Sequence, residues 1–363
     1  MKIRTLLAAL LVATTPLSLA ACSSESPVPE ATIIAGKLCA LADSAGWDDQ
    51  GLNRETFVAL QKAKVTIGIS LDVDELTAKS THRDAQSRLS AFAAGGCSLV
   101  IGSGDYLTAD VQAVAAAHPK VQFVTVDHHF ELTGSNTPMS HTMMLSNVHS
   151  IANILGEAAF EAGYLAAMSS QTHVVAALIA IASPSTPVQS KTKTAFEDGV
   201  TYYSTHGGVA TKLISVYPIP KIAPASEAIR QTVSSLFNRG VDRLFVVAPK
   251  DFETVASVTE SFGSLQLIGS DLDWATLPSM SSYAPRILAS VVRTKAVDSL
   301  YGFIAFWLAG HTATPGPDSI DINSLTNGGV ALTDAHSIAY PNDFANQINQ
   351  LVEKLTSDGG MTQ

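Results

Sequence analysis

Basic side chains are in short supply in this chain: 22 Lys and Arg stand against 32 Asp and Glu, giving a formal net charge of −10 over 363 residues. That deficit argues against a nucleic-acid face or a surface for anionic lipid. No apolar run reaches the roughly 20 residues that a bilayer-spanning helix needs. The sequence has no Gly-x-Ser-x-Gly elbow, and its Gly36-Lys37 pair is followed by Leu38 rather than Ser or Thr. A hydrolase nucleophile turn and a phosphate loop are both missing. His118, His128, His129, His141 and His149 fall within a short interval, yet no two have the HExxH or another metal-ligand spacing. No metal, cofactor or catalytic constellation is expected.

Cysteine is scarcer still, with three in all, and the position of the first is informative. Lys2 and Arg4 head the apolar run Leu6 to Leu19, which ends in Leu19-Ala20-Ala21-Cys22. This reads as a lipoprotein leader over residues 1–21 whose Cys22 becomes the lipidated first residue of an exported protein. An ordinary signal peptide cut nearby is the alternative. Loss of Lys2 and Arg4 leaves a mature charge of −12, so attachment to a membrane would rest on the lipid itself. At about 0.8 kcal/mol per buried methylene, two acyl chains suffice for stable anchoring. Residues 22–36, polar and proline-containing, suit a solvated tether. Cys39 and Cys97 remain as an even pair in a compartment where disulfides persist; they could bridge, or pack as two buried thiols.

From Lys37 onward short apolar runs alternate with helical patterns, which predicts an α/β fold with mostly parallel sheets. Strands are expected at 37–41, 65–69, 99–102 and 121–127, with helices between them. A second set follows the Thr/Ser/Met-rich connection 132–145. Its strands are expected at 174–181, 213–216, 244–247 and 265–269, the first preceded by a helix over 151–168. The tail adds strands at 287–292 and 330–332, a helix over 297–308 and a terminal helix over 342–355. Two doubly wound lobes joined by a hinge follow, with residues 37–144 plus 272–312 in lobe 1 and 145–271 plus 313–363 in lobe 2. In such folds a ligand sits at the carboxyl ends of the strands, between lobes that close on it.

Polar residues at those ends are the candidates, and they are mostly acids. Asp48 and Asp49 follow the first strand, Asp127 with His128 and His129 the fourth, and Asp271 and Asp273 the strand at 265–269. A carboxylate accepts several hydrogen bonds, so these acids suit a hydroxyl- or N–H-bearing solute better than an anion. Each also has a plain structural use: Asp48 or Asp49 can cap the next helix, and Asp127 can form a turn. Trp47, Tyr106, Phe252 and Trp274 lie near strand ends, where an aromatic face could stack on a base or simply pack.

Several segments resemble the basic membrane protein family, lipoproteins similar to type I periplasmic binding proteins that include purine-nucleoside receptors of ABC importers. Asp48-Asp49-Gln50-Gly51-Leu52-Asn53 is similar to the family's Asp-Asp-Lys-Ser-Phe-Asn. Leu99-Val100-Ile101-Gly102 through His118-Pro119-Lys120-Val121-Gln122-Phe123 to Asp127 resembles its strand, helix and strand-end Asp. Phe160 with Ala162-Gly163-Tyr164-Leu165-Ala166-Ala167 is similar to "LAGYLAA", Ala195-Phe196-Glu197-Asp198-Gly199 to "GFEAG", and Asn327-Gly328-Gly329-Val330 to a late glycine-valine strand.

The resemblance implies a non-enzymatic, membrane-anchored solute-binding lipoprotein outside the cytoplasm, with a nucleoside-like ligand and with ABC permease and ATPase subunits as partners. It implies ligand roles for Asp49, Asn53, Asp127 and Asp271 or Asp273, with Arg293 where the family usually has lysine. Arg293 keeps the charge but brings a planar fork. Leu52 replaces a phenylalanine that would stack on a base, leaving Trp47 or Phe252 to offer such a face. Ala182-Ser183-Pro184 and Ala248-Pro249-Lys250-Asp251-Phe252 stand where the family has glycine-rich turns. Those departures keep a second expectation open, a diverged surface lipoprotein that senses or binds a partner without transport.

Overall fold

Two six-stranded sheets, each wrapped by helices on both faces, organise the chain. The structure is a computed structural model describing residues 36–127, 145–179, 187–206, 208–218, 225–248, 250–311, 320–333 and 350–351. The leader 1–21, Cys22 and residues 23–35 lie outside the described residues, as do His128, His129, His141, Ala182-Ser183-Pro184, Pro249 and all but two residues of the helix expected over 342–355.

The first sheet holds β1 (Lys37–Ala42), β2 (Ser70–Glu75), β3 (Cys97–Ser103), β4 (Gln122–Val126), β5 (Val148–Asn153) and β11 (Ile320–Asn323), in the order β11-β5-β4-β3-β1-β2. All its pairings are parallel. Side-chain alternation splits its core in two. Leu38, Ala40, Leu99 and Ile101 face α1 (Leu52–Ile67) and α8 (Ala296–Leu308), while Cys39, Leu41, Val100 and Phe123 face α2 (His82–Ala94) and α3 (Thr108–Ala117). Cys39 and Cys97, on neighbouring strands, are joined in a disulfide with Cα atoms 5.9 Å apart.

The second sheet holds β6 (Val174–Ile179), β7 (Lys212–Pro218), β8 (Arg243–Val247), β9 (Gln266–Asp271), β10 (Ile287–Arg293) and β12 (Val330–Leu332), ordered β12-β10-β9-β8-β6-β7. Among the described pairings only β12 on β10 is antiparallel. One face packs on α4 (Leu155–Ser169) and α5 (Pro187–Thr205), the other on α6 (Ala225–Asn238) and α7 (Phe252–Thr259). Gly163 and Gly199 let α4 and α5 touch backbone to backbone. A Cβ at Gly163 would stand 2.1 Å from the Phe196 carbonyl oxygen, and one at Gly199 2.0 Å from that of Phe160.

Sheet membership corrects the division expected from the sequence in three places. Val148–Asn153 pairs with β4 and Ile320–Asn323 with β5, so both belong to the first sheet, and Ile287–Arg293 pairs with β9 and belongs to the second. The chain therefore passes between the two halves three times, after Asn153, after Arg293 and after Asn323. The strand expected at 65–69 is also displaced. α1 continues to Ile67, Gly68 ends it with a left-handed φ of 78°, and the strand is the exposed, acidic edge Ser70–Glu75. β-Branched residues at the end of a helix had read as a strand, because the glycine that stops α1 lay inside the apolar run.

Candidate functional site

β4 and β9 occupy the same place, third in the order of their respective sheets. Each delivers an aspartate at its carboxyl end, Asp127 just past β4 and Asp271 at the end of β9, with backbone φ of 69° and 74°. Left-handed backbone costs an ordinary L-residue roughly 1–2 kcal/mol, and Asp is among the few that bear it. Both carboxylates are buried, each 5% exposed.

On the first sheet Asp127 is tied to its neighbours by hydrogen bonds. Its N–H donates to the Ile151 carbonyl at 2.7 Å, and its Oδ1 accepts from Asn153 Nδ2 at 3.0 Å. Asn153 Oδ1 accepts from Asn323 Nδ2, whose own Oδ1 accepts from Ser299 Oγ at 3.1 Å. On the second sheet, Asp271 Oδ2 accepts from Ser270 Oγ at 2.8 Å and Oδ1 from Arg293 Nη1 at 2.6 Å.

Arg293 links the two arrays. Nη2 lies 3.6 Å from Asp127 Oδ2 and Nη1 3.6 Å from Glu55 Oε2, so one guanidinium from the second sheet faces three carboxyls, two of them from the first half. Burial works against its charge, but the fields of Asp127 and Asp271 and the hydrogen bond to Asp271 support it, and Arg293 is held protonated, above its ordinary range.

The start of α1 supplies the third wall. Asp49 Oδ1 accepts from the N–H groups of Gly51 and Arg54 at 3.2 and 2.8 Å, so it closes the helix N-terminus as a capping residue does. Burial pushes its carboxyl up to about 6, with those N–H bonds opposing and Asp271 adding to the rise. Asn53 Nδ2 donates to Asp43 Oδ1 at 2.8 Å, while its Oδ1 is buried without a partner. Glu55 sits one turn in, 7% exposed, its Oε2 unpartnered by any hydrogen bond. Burial pushes its carboxyl up to about 8; Arg293 pulls the other way, and Asp271, Asp127 and Asp49 push further up. Asp43 is raised chiefly by burial, and feels Lys250 from the second half and Asp127 from its own.

Asp127, Asp271 and Arg293 thus meet at the strand ends, and Asp49 and Asn53 are buried at the start of α1, Asp49 close enough to feel the charge of Asp271 and Asn53 bonded to Asp43. The other expected site residues have local duties. Asp273 accepts from the Ala275 N–H at 3.3 Å and caps a short turn. Trp47 is half-buried; its N–H donates to Glu75 Oε2 at 2.9 Å and its indole N–H to the Asp74 carbonyl at 3.0 Å, tying the loop after β1 to edge strand β2. Phe252 is not a free stacking face. It is 4% exposed and its ring lies 5.4 Å from Trp274 within the core of the second half, because it opens α7 on the side facing β9. Trp274 in turn lies flat on β9, where a Cβ at Gly269 would be 2.4 Å from its ring.

Sequence reasoning missed Glu55, Asp43, Asn153 and Asn323. The two asparagines close β5 and β11, strands too polar or too short to be recognised. Glu55 gave no signal, since an acid in the first turn of a helix is ordinary dipole chemistry.

Chemically, three carboxyl groups facing one guanidinium, with Asp43, Asp49 and the Asn53 amide carbonyl buried alongside, make a site rich in acceptors. It can take hydroxyl and N–H groups and repels anions. Among the described residues no group of three or more His, Cys, Asp or Glu is arranged to hold a metal ion.

Such strand-end chemistry on paired parallel sheets defines a type I periplasmic binding protein fold. The chain belongs to the Bmp family, ABC transporter substrate-binding proteins described as PnrA-like, whose profile matches residues 37–359. That family binds solutes rather than catalysing reactions, works outside the cytoplasm, and takes small molecules and transporter subunits as partners. No helix among the described residues is long and apolar enough to cross a membrane. No curated protein matches the chain in sequence.

Solved structures agree on the fold. A transcriptional activator of the comK gene from Bacillus halodurans superposes with a TM-score of 0.65 at 19% identity, over 90% of this chain and 100% of that one. An ABC transporter solute-binding protein from Aeropyrum pernix K1 gives 0.65 at 19% identity, covering 89% and 84%. One from Conexibacter woesei gives 0.62 at 19%, covering 89% and 97%.

Proposed function

We propose that this protein is the solute-binding lipoprotein of an ABC importer, anchored to the membrane through Cys22, and that it captures a nucleoside-like solute in a cleft between its two halves. The observation that carries the reading is the convergence of Asp49, Asn53, Asp127, Asp271 and Arg293, drawn from distant parts of the chain, onto one buried, acceptor-rich locus. Asp127 and Asp271 would accept hydroxyl groups, Asp49 and Asn53 would fix one edge of the solute, and Arg293 would close the polar clamp. Strand-end placement supports a cleft there, because in open α/β sheets the crevice lies beyond the carboxyl ends.

A thermal-shift panel of nucleosides, free bases and sugars tests the reading. A ligand at 100 times its Kd adds about 2.7 kcal/mol of stability, and Asp127→Asn is expected to weaken binding by well over tenfold. No shift across the panel would sink it and favour a sensor or partner-binding lipoprotein. The anchor is tested by metabolic palmitate labelling, which Cys22→Ser should abolish.

A further inference from the structure

Three buried polar atoms at the locus have no hydrogen-bond partner: Glu55 Oε2, Asn53 Oδ1 and Arg293 Nε. Buried polar groups are hydrogen-bonded in the great majority of cases, so each such atom calls for an explanation. Glu55 is the most telling of the three. It is more than nine-tenths buried, and it stands 3.6 Å from an Arg293 nitrogen already committed to Asp271 at 2.6 Å. Its Oε2 thus faces the guanidinium at ion-pair distance but makes no hydrogen bond to it. Its position also belongs to none of the segments that resemble the family.

We propose that Glu55 contacts the solute directly and sets its specificity, selecting a ring edge on which an exocyclic amine stands beside an unprotonated ring nitrogen. The inference rests on the nucleoside reading given above. A neutral carboxyl offers an O–H donor and a carbonyl acceptor side by side, which is the complement of that edge: the amine donates to the carbonyl and the ring nitrogen accepts from the hydroxyl. The surroundings favour the neutral form. Asp43, Asp49, Asp127 and Asp271 crowd the locus, against which Arg293 and the more distant Lys250 are the facing cations. Burial is the main cause that pushes the Glu55 carboxyl up, and Asp271, Asp127 and Asp49 add to the rise against the pull of Arg293.

The test uses a matched pair of probes, adenosine and purine riboside, which differ only in the exocyclic amine, titrated calorimetrically into the full-length protein and two variants. The expected result is that wild type prefers adenosine, that Glu55→Ala reduces this preference at least tenfold, about what one lost buried hydrogen bond costs, and that Glu55→Gln restores it to within about threefold. Gln succeeds where Ala fails because its amide also presents a donor next to an acceptor. A Glu55→Ala protein that weakens both probes equally, or neither, overturns the inference while leaving nucleoside binding intact. Wild-type protein that binds neither probe overturns the nucleoside reading itself, and this inference with it. Thermal melts of both variants separate a local effect from misfolding, and the probe ratio is indifferent to the fraction of protein folded.

Discussion

Asp127 and Asp271 are structural counterparts: each stands at the carboxyl end of the third strand of its sheet, each has a left-handed backbone, and Arg293 lies within 3.6 Å of the first and 2.6 Å of the second. Left-handed φ turns each side chain off the line of its strand, where it meets the same guanidinium. Backbone conformation and charge placement are therefore separable demands at these two positions. Asp271→Asn satisfies the first and removes the second. Asp271→Ala fails both and should be less stable than Asp271→Asn by about 1–2 kcal/mol, the cost of a left-handed alanine. Urea unfolding of the pair checks this, with the Asn variant as the baseline.

Arg293 neutralises a locus that would otherwise hold only buried acids. Replacing it with Met leaves those carboxyls uncompensated and should destabilise the protein by about 3–5 kcal/mol at neutral pH. Below pH 5 the deficit should shrink, since protonated carboxyls no longer need the cation. Arg293→Lys, which restores the residue usual in the family, keeps the charge but cannot span Asp127 and Asp271 with two nitrogens, and should fall between Met and wild type. Chemical denaturation at pH 4.5 and pH 7.5 distinguishes the three.

A second buried acid lies away from this locus. Glu161 on α4 is 3% exposed with Oε1 unpartnered; burial and then Glu157 push its carboxyl up to about 8, while a hydrogen bond from the Leu332 N–H opposes them. A carboxyl raised in the folded state favours folding fully below its unfolded value near 4.5, and that contribution is lost as pH climbs through about 8. Wild type should lose stability relative to Glu161→Gln over that interval. The difference between their melting temperatures, measured from pH 5 to pH 8.5, should widen steadily; a flat difference would show that Glu161 is ionised throughout.

The Cys39–Cys97 bridge closes a loop with a sequence separation of 58 residues. Chain-entropy reasoning gives about 4 kcal/mol for a loop of that length. Both sulfurs are buried, so reduction should need prior opening. Melting with and without dithiothreitol after unfolding and refolding is expected to show a clear loss of stability, reproduced without reductant by Cys39→Ala with Cys97→Ala.

Much of this fold was legible because its strands are apolar runs bounded by turn residues, as in Leu99–Ile101 and Leu244–Val247. What hid the rest was polarity in buried backbone. Val148–Asn153 carries His149, Ser150 and Asn153, every one of them buried, and no apolar run marks it. Ile320–Asn323 is four residues long with an acid at its centre. At the site, Asp127 and Asp271 could be found because they end recognisable strands. Phe252 misled for the converse reason, since proximity to a strand end says nothing about which way a helix presents its first residue. Glu55 could be found only once the bond between Arg293 and Asp271 showed what else stood beside it.

Because the polypeptide shuttles between its halves three times, one of the two edge strands of each sheet is supplied by residues 320–333. A chain halted before residue 320 would leave β5 and β10 as raw edges at once, in both halves. Neither half can be excised as a continuous segment, and neither sheet is finished until nearly the whole polypeptide has emerged. Completion of both sheets must wait for the far end of the chain.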